Sequence, residues 1–280
     1  MGLSAHDFPL LAMKRILTIQ DLSCVGRCSL TVAQPILSAM GISCSVLPTA
    51  VLSTHTAFSN PHIRSLTEDI VPICEHLRGV GASFDGILVG YLASVEQVEA
   101  VLEVMNTFDC PVILDPAMGD NGKLYNGITE EHAEAMKDLC SMAQVVLPNV
   151  TEASLLTGQP YQVWTDGQYL RAMLESLCRR KTQTVVITGV SPSKNQTGFA
   201  GIHAEEGMFS YHTHRRGMPL HGTGDMFSAV FAGSYLLGKD PMESAELAAK
   251  FVERVLDNTP EATPFGGEFE TQLPWLWQQL

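Results

Sequence analysis

Short apolar runs recur along this chain with amphipathic helix patterns between them, and that alternation restricts the fold before any motif is read. The runs are RILTIQ (15–20), ISCSVLP (42–48), FDGILVGY (84–91), PVILDP (111–116), AQVVLPN (143–149) and TQTVVITG (182–189). Most are nearly continuous in apolar residues, the pattern of strands buried on both faces in a parallel sheet. SLTVAQPILSAMG (29–41), SVEQVEAVLEVMNTF (94–108) and EEHAEAMKDLC (130–140) have helical spacing. Gly41 is placed as a C-cap, and Pro35 as a kink or the mark of a late helix start. The run 198–215 predicts a hairpin around Glu206-Gly207, and two closing helices follow Gly222, the second over 241–256. The expected class is α/β, a mostly parallel central sheet with helices on both faces. No composition break, repeat or long linker divides the chain. Residues 1–14 read as an N-terminal extension and 15–280 as a single domain.

Charge and cysteine content exclude several roles. The net charge of −13 comes with no Lys/Arg-rich run and argues against a nucleic-acid partner. It leaves phosphorylated small molecules open, because backbone amides and Mg²⁺ bind phosphate without many lysines. No run approaches the roughly 20 apolar residues of a membrane span, and the first residues lack the basic-then-apolar pattern of a leader. Seven scattered cysteines, an odd number, point to reduced thiols and a cytoplasmic location. Cys24 and Cys28 lack the second pair that a zinc site needs.

In open α/β sheets, ligands sit outside the carboxyl ends of the strands. Asp21, Thr49, Tyr91, Asp115, Asn149 and Thr188 are all placed there, just after their strands. In Gly222-Thr223-Gly224-Asp225, paired glycines precede a helix whose first amides face outward, an arrangement suited to a phosphoryl group with a carboxylate beside it. The same residues also suit a helix cap at Asp225. Asn149-Val150-Thr151-Glu152 reads either as a capping box or as a carboxylate near Mg²⁺ and phosphate. The loop 117–127 places Asp120 after a strand that ends in Asp115, consistent with turn chemistry or with a metal and nucleotide role. Between the first strand and helix lie Asp21, Ser23, Gly26 and Arg27. The segment 49–60, with His55 and Phe58, reads as a substrate-lining loop, although His55 alone also suits a satisfied structural histidine. Tyr91 offers an aromatic face. Neither GxxxxGK[ST] nor a GxGxxG after the first strand is present, which removes the P-loop reading and weakens the dinucleotide one.

Taken together, LPTAVLSTHT, GYLAS, DPAMGDNGKLY, NVTEA, TG and HGTGD resemble the pyridoxal/pyridoxamine kinases of the ribokinase-like superfamily, over roughly residues 15–256. The resemblance implies a three-layer sandwich and ATP-dependent phosphorylation of the 5′-hydroxymethyl group of a vitamin B6 vitamer. It implies Asp225 as base and Gly222, Thr223 and Gly224 as anion hole. Asp115, Asp120, Tyr125, Asn149, Glu152 and Thr188 would face the nucleotide, with Asp115 and Glu152 also holding Mg²⁺. Asp21, Thr49, His55, Tyr91 and Asp225 would meet the vitamer, and the residues before 214–219 would lie near the adenine. ATP and Mg²⁺ are the implied cofactors, with room for a monovalent cation, and the implied assembly is a homodimer. Many members carry Gln-Ser where this chain has Gln20-Asp21, and a carboxylate there favours a protonated ring nitrogen or an amine donor. Hydroxymethylpyrimidine kinases share the fold, but their Gly-rich segment after the first strand is not found in DLSCVGRCS. A sugar kinase and a non-catalytic vitamer-binding protein are the remaining alternatives.

Overall fold

The computed structural model describes residues 13–180, 183–216, 220–259 and 263–280. Most of the expected N-terminal extension, Thr182 of the sixth apolar run and residues 217–219 lie outside the described residues. In chain order the elements are β1 (Arg15–Ser23), α1 (Leu30–Ala39), β2 (Ser43–Leu52), β3 (Ile63–Ser65), α2 (Thr67–Gly79), β4 (Gly86–Val89) and α3 (Val95–Thr107). They continue with β5 (Val112–Leu114), β6 (Gly119–Asp120), β7 (Lys123–Leu124), α4 (Glu130–Met142), β8 (Val145–Val146), α5 (Val150–Thr157) and α6 (Gly167–Leu177). The last are β9 (Thr184–Val190), β10 (Gln196–His203), β11 (Gly207–His214), α7 (Thr223–Leu236), α8 (Pro241–Asn258), a 3₁₀ turn (Phe269–Gln272) and α9 (Leu273–Trp277).

Nine strands form one sheet in the order β11-β10-β9-β8-β5-β4-β1-β2-β3. The six strands expected from the apolar runs pair in parallel, while β3, β10 and β11 add antiparallel edges. Alternate residues of each strand point to opposite faces, and two cores result. Leu17, Ile19, Val89, Leu114, Val146 and Ile187 pack under α2 to α6. Ile16, Leu88, Ile113, Val145 and Val186 pack under α1, α7, α8 and α9. The three layers expected from the sequence are present, and α2 and α6 are additions to the helices anticipated.

Local chemistry explains the ends of these elements. Helix α1 closes in a Schellman motif: Gly41 is left-handed (φ 77°), its amide bonds the Ser38 carbonyl at 3.0 Å, and the Ile42 amide bonds that of Leu37 at 3.1 Å. Its start at Leu30 lies upstream of Pro35, so the proline is inside the helix and does not mark a late start. Asn121 (φ 53°) and Gly122 (φ 77°) form the tip of the β6–β7 hairpin, where Asn-Gly tolerates two positive φ values in succession. The stretch 117–127 was expected to be a loop, and its Asn-Gly pair is the signal that marks the hairpin. Thr49–Leu52 belong to β2 instead of a loop, because the strand continues to pair with β3.

The apolar helix α7 stacks Phe231 between Phe227 and Tyr235, with ring centroids 6.4 and 6.0 Å apart, and Phe231 is fully buried. Phe231→Ala is expected to cost about 3–5 kcal/mol, measured by urea unfolding, because the emptied volume lies between two packed layers.

Candidate active site

The carboxyl edge of the sheet gathers the residues singled out above. Asp115 directly follows β5, while Tyr91 and Asn149 follow β4 and β8 by a short step. Asp21, Thr49 and Thr188 lie inside extended strand ends instead of beyond them. β1 runs on through an irregularity between Gln20 and Leu22, β2 is prolonged by β3, and β9 by β10.

Gly222 starts the site. It is left-handed (φ 82°, ψ 2°) and caps α7 with no side-chain hydrogen bond. A Cβ there would stand 2.1 Å from the Arg27 carbonyl oxygen, so only glycine lets the two backbones approach. The cap is therefore Gly222 and not Asp225, which sits in the first turn with Thr223 and Gly224. Free amides and the positive end of a long helix thus face the same space as the Asp225 carboxylate.

Asp225 is partly buried and accepts a hydrogen bond from the Ser29 backbone amide. Burial, followed by the charge of Asp115, pushes its pKa up to about 8. Asp115 is raised mainly by burial, against a hydrogen bond from Ser228. Glu152 is 2% exposed and raised by burial and by Asp115. The capping box is present: the Glu152 amide donates to Asn149 Oδ1 (3.0 Å), and the Asn149 amide donates to Glu152 Oε2 (2.7 Å). The Met118 amide also donates to Glu152 Oε1 (3.1 Å), which ties the carboxylate to the loop after Asp115. Capping and proximity to Asp115 are therefore properties of one side chain, not alternatives.

Electrostatic neighbours put these groups in a row. Tyr125 is raised by burial and then by Glu152, Asp120, Asp115 and Asp225. Tyr91, at the other end, is raised by burial and then by Asp21. Asp21 is 4% exposed and raised by burial, with Ser29 and Ser23 opposing. The order is Glu152, Asp115, Asp225, Asp21. Asp120 is exposed and held locally, accepting from the Asn121 amide and its side-chain nitrogen, both at 2.8 Å. The Gly122 amide donates to Thr151 Oγ1 (3.0 Å) and pins that hairpin to α5. Thr188 bridges to Asn149 in parallel fashion, and its amide donates to the Pro148 carbonyl at 2.8 Å.

At the Asp21 end, Thr49 is 1% exposed and its Oγ1 has no partner. His55 offers no free nitrogen to a ligand. Nε2 lies 2.8 Å from the Pro264 carbonyl, and the Ala57 amide donates to Nδ1 at 3.3 Å. The satisfied histidine foreseen as an alternative is what the structure contains, its ring tilted against those of Phe58 and His221 with centroids 4.9 Å away in each case. Arg27 is paired through Nε with Glu270 at 2.8 Å.

Sequence reasoning missed Ser29 as a site residue. Its Oγ donates to Asp21 Oδ1 at 2.5 Å while its amide faces Asp225, and it does so at φ 49°, ψ −127°. No sequence pattern announces that conformation, which costs a non-glycine residue about 1–3 kcal/mol. Residues 263–267 were missed as well. They meet Arg27, His55 and His221 from a distant part of the chain, and only the GG pair at 266–267 hinted at close approach. The Cys28 thiol lies beside Asp225 and is pushed up to about 12, first by burial, so it stays protonated near neutrality.

Comparison with known proteins is consistent with this geometry. The family model described as phosphomethylpyrimidine kinase matches residues 37–269. The pyridoxine/pyridoxal/pyridoxamine kinase of Bordetella pertussis is 29% identical over 265 residues, covering 88% of this chain and 90% of that protein. The pyridoxal kinase of Lactobacillus plantarum superposes with a TM-score of 0.89 at 30% identity, covering 96% of this chain and 98% of that one. A Bacteroides thetaiotaomicron protein assigned to the phosphomethylpyrimidine kinases and solved with pyridoxal superposes with a TM-score of 0.89 at 31% identity, over 94% of this chain and 96% of its own.

The raised pKa of Asp225 has a consequence for stability. Its unfolded value is near the ordinary 3.8, so between that and about 8 the folded state holds the extra proton. Stability from this group is complete at low pH and is lost as pH rises through the folded value. In metal-free, ligand-free protein, Asp225→Asn is expected to be more stable than wild type at pH 8 by at least about 1 kcal/mol, the worth of one pKa unit. The difference should vanish toward pH 4, as read by chemical denaturation across that range.

Proposed function

The chain belongs to the phosphomethylpyrimidine kinase family and, with its relatives, to the pyridoxal kinases of the ribokinase-like fold; from that premise we propose that it transfers the γ-phosphoryl group of ATP to the 5′-hydroxymethyl group of a vitamin B6 vitamer, giving the 5′-phosphate. The observation that carries the reading is the placement of Asp225. It is a partly buried carboxylate with raised proton affinity at the mouth of a glycine-capped helix start.

Phosphoryl transfer needs little covalent help from the protein and depends on positioning and charge stabilisation. Asp225 takes the proton of the attacking hydroxyl. The first-turn amides of α7, at Thr223 and Gly224, face the phosphoryl oxygens, and the helix dipole adds a favourable field. Asp115 and Glu152 supply hard oxygen donors of the kind Mg²⁺ takes, alongside phosphate oxygens and water. No group of three or more His, Cys, Asp or Glu side chains forms a protein-only metal cage among the described residues. When bound, Mg²⁺ neutralises phosphate charge. Tyr125, Asp120, Asn149 and Thr188 lie on the Glu152 side and are assigned to the nucleotide. Tyr91, Thr49 and Asp21 lie on the other side and are assigned to the vitamer, and His55 shapes that end without donating to it. All seven cysteines are free, and no helix among the described residues is long and apolar enough to cross a membrane. The free thiols favour the cytoplasm.

A second reading, phosphorylation of a hydroxymethylpyrimidine, is favoured by the description of the matching family model. ATP-dependent turnover measured on pyridoxal, pyridoxine, pyridoxamine and hydroxymethylpyrimidine separates the two. Turnover of the pyrimidine alone would replace the vitamer reading. Asp225→Ala is expected to lower kcat by about 10²–10⁴-fold while vitamer binding, followed by calorimetry, persists. Near wild-type turnover in this variant would remove Asp225 from the base role. Gly222→Ala is expected to reduce kcat strongly as well, because its Cβ cannot pass the Arg27 carbonyl without moving the helix start.

A further inference from the structure

His132, near the start of α4, is 2% exposed, and neither of its ring nitrogens has a hydrogen-bond partner. Burial holds its pKa below the ordinary 6.5, so the ring is neutral near pH 7, with one nitrogen a donor and the other an acceptor. Buried polar groups are normally paired, and an unmet one destabilises the fold. His132 also lines a cavity of about 400 Å³ between the starts of α3 and α4. That volume lies in the range of small-molecule sites, roughly 300–1,000 Å³, and far above the share of about 30 Å³ that one water takes. None of Glu152, Asp115, Asp225 or Asp21 lines it.

Charge indicates the class of occupant. Glu96 and Glu99 of α3 and Glu131 of α4 line the cavity; all are exposed, and no ion pair among the described residues reaches them. Glutamates in a first helical turn are an ordinary complement to the helix dipole. Here they exceed it, since two helix starts bring roughly half a positive charge each against three carboxylates. Two amides at these starts are also already capped: that of Gln97 donates to Ser94 Oγ (3.4 Å) and that of His132 to Thr129 Oγ1 (3.2 Å). The cavity therefore repels anions and attracts cations. Its carboxylates come from two different helices, and Ala93 and Val95 supply apolar contact between charged groups. An alkylammonium group stays protonated at neutral pH and carries three N–H donors, which match carboxylates and an imidazole acceptor.

We propose that this cavity binds a small aliphatic diamine, one ammonium group meeting Glu131 and a ring nitrogen of His132, the other meeting Glu96 and Glu99. The site lies outside the phosphoryl-transfer machinery, and the assignment does not rest on the vitamer-kinase reading. It adjoins that machinery through the chain, since Ala93 and Gly127 of its lining each follow an active-site tyrosine, Tyr91 and Tyr125, by two residues. The test is calorimetric titration of the full chain with putrescine near neutral pH, without nucleotide or vitamer. Saturable binding is expected, weakened about threefold or more in Glu131→Gln and in His132→Gln. Butylamine, with a single charge, is expected to bind about tenfold more weakly than putrescine. Glu131 is exposed, so its variant keeps the test open should the buried His132 variant not fold. Glu205→Gln, which removes an exposed carboxylate between β10 and β11, is expected to bind as wild type does. Absence of saturable binding overturns the proposal. So does equal weakening in Glu205→Gln, which would mean attraction to the acidic surface at large, or loss only in Asp225→Asn, which would place the diamine in the carboxylate row. Vitamer phosphorylation is assayed separately, so either reading can fail while the other stands.

Discussion

Four carboxylates, Glu152, Asp115, Asp225 and Asp21, stand in a row at one edge of the sheet, and no ion pair among the described residues reaches any of them. Like charges brought together away from water repel and hold protons. The rest of the molecule keeps them together regardless. The parallel strands β5 and β1, on either side of β4, deliver Asp115 and Asp21, and two helix starts deliver Glu152 and Asp225. The two apolar layers make that edge rigid. On the proposed function, a magnesium–nucleotide complex would bring positive charge to the row.

Backbone geometry restrains the row more than side-chain pairing does. Glu152 is fixed by the amides of Asn149 and Met118, and Asp225 by that of Ser29. Gly222 gains its position by approaching the Arg27 carbonyl, and Gly266 packs against the same carbonyl from the C-terminal segment. Amide donors offset carboxylate charge in part without neutralising it. The carboxylates therefore stay available for a proton or a metal, which ion pairs with lysine or arginine would preclude.

Helix capping and the candidate site use the same groups here. The Asn149–Glu152 box satisfies free amides of α5 and also holds a carboxylate against Asp115. At α7 the cap is a glycine without a side chain, so the first-turn amides face outward beside Asp225. One helix start is closed by its own residues and the other has no side-chain cap. The sequences NVTE and GTGD differ in the way this division requires, because glycine cannot cap through a side chain.

The apolar runs and their helical spacers determined the fold class, the parallel pairing and the edge that carries chemistry, because burial on both faces leaves a continuous hydrophobic signature that needs no distant partner to be read. The local motifs at 115–125, 149–153 and 221–225 likewise announced the candidate site, since each is a strand end or helix start with a recognisable composition. Tertiary structure alone decided the order of the carboxylates. It alone made His55 a satisfied structural residue, through the Pro264 carbonyl 209 positions away. It alone brought Ser29 between Asp21 and Asp225 with a positive φ, and extended β1, β2 and β9 past the ends their hydrophobic patterns suggested. Those features come from close approaches between segments far apart in the chain, and their energies depend on what each group meets after packing, which no local pattern of residues encodes.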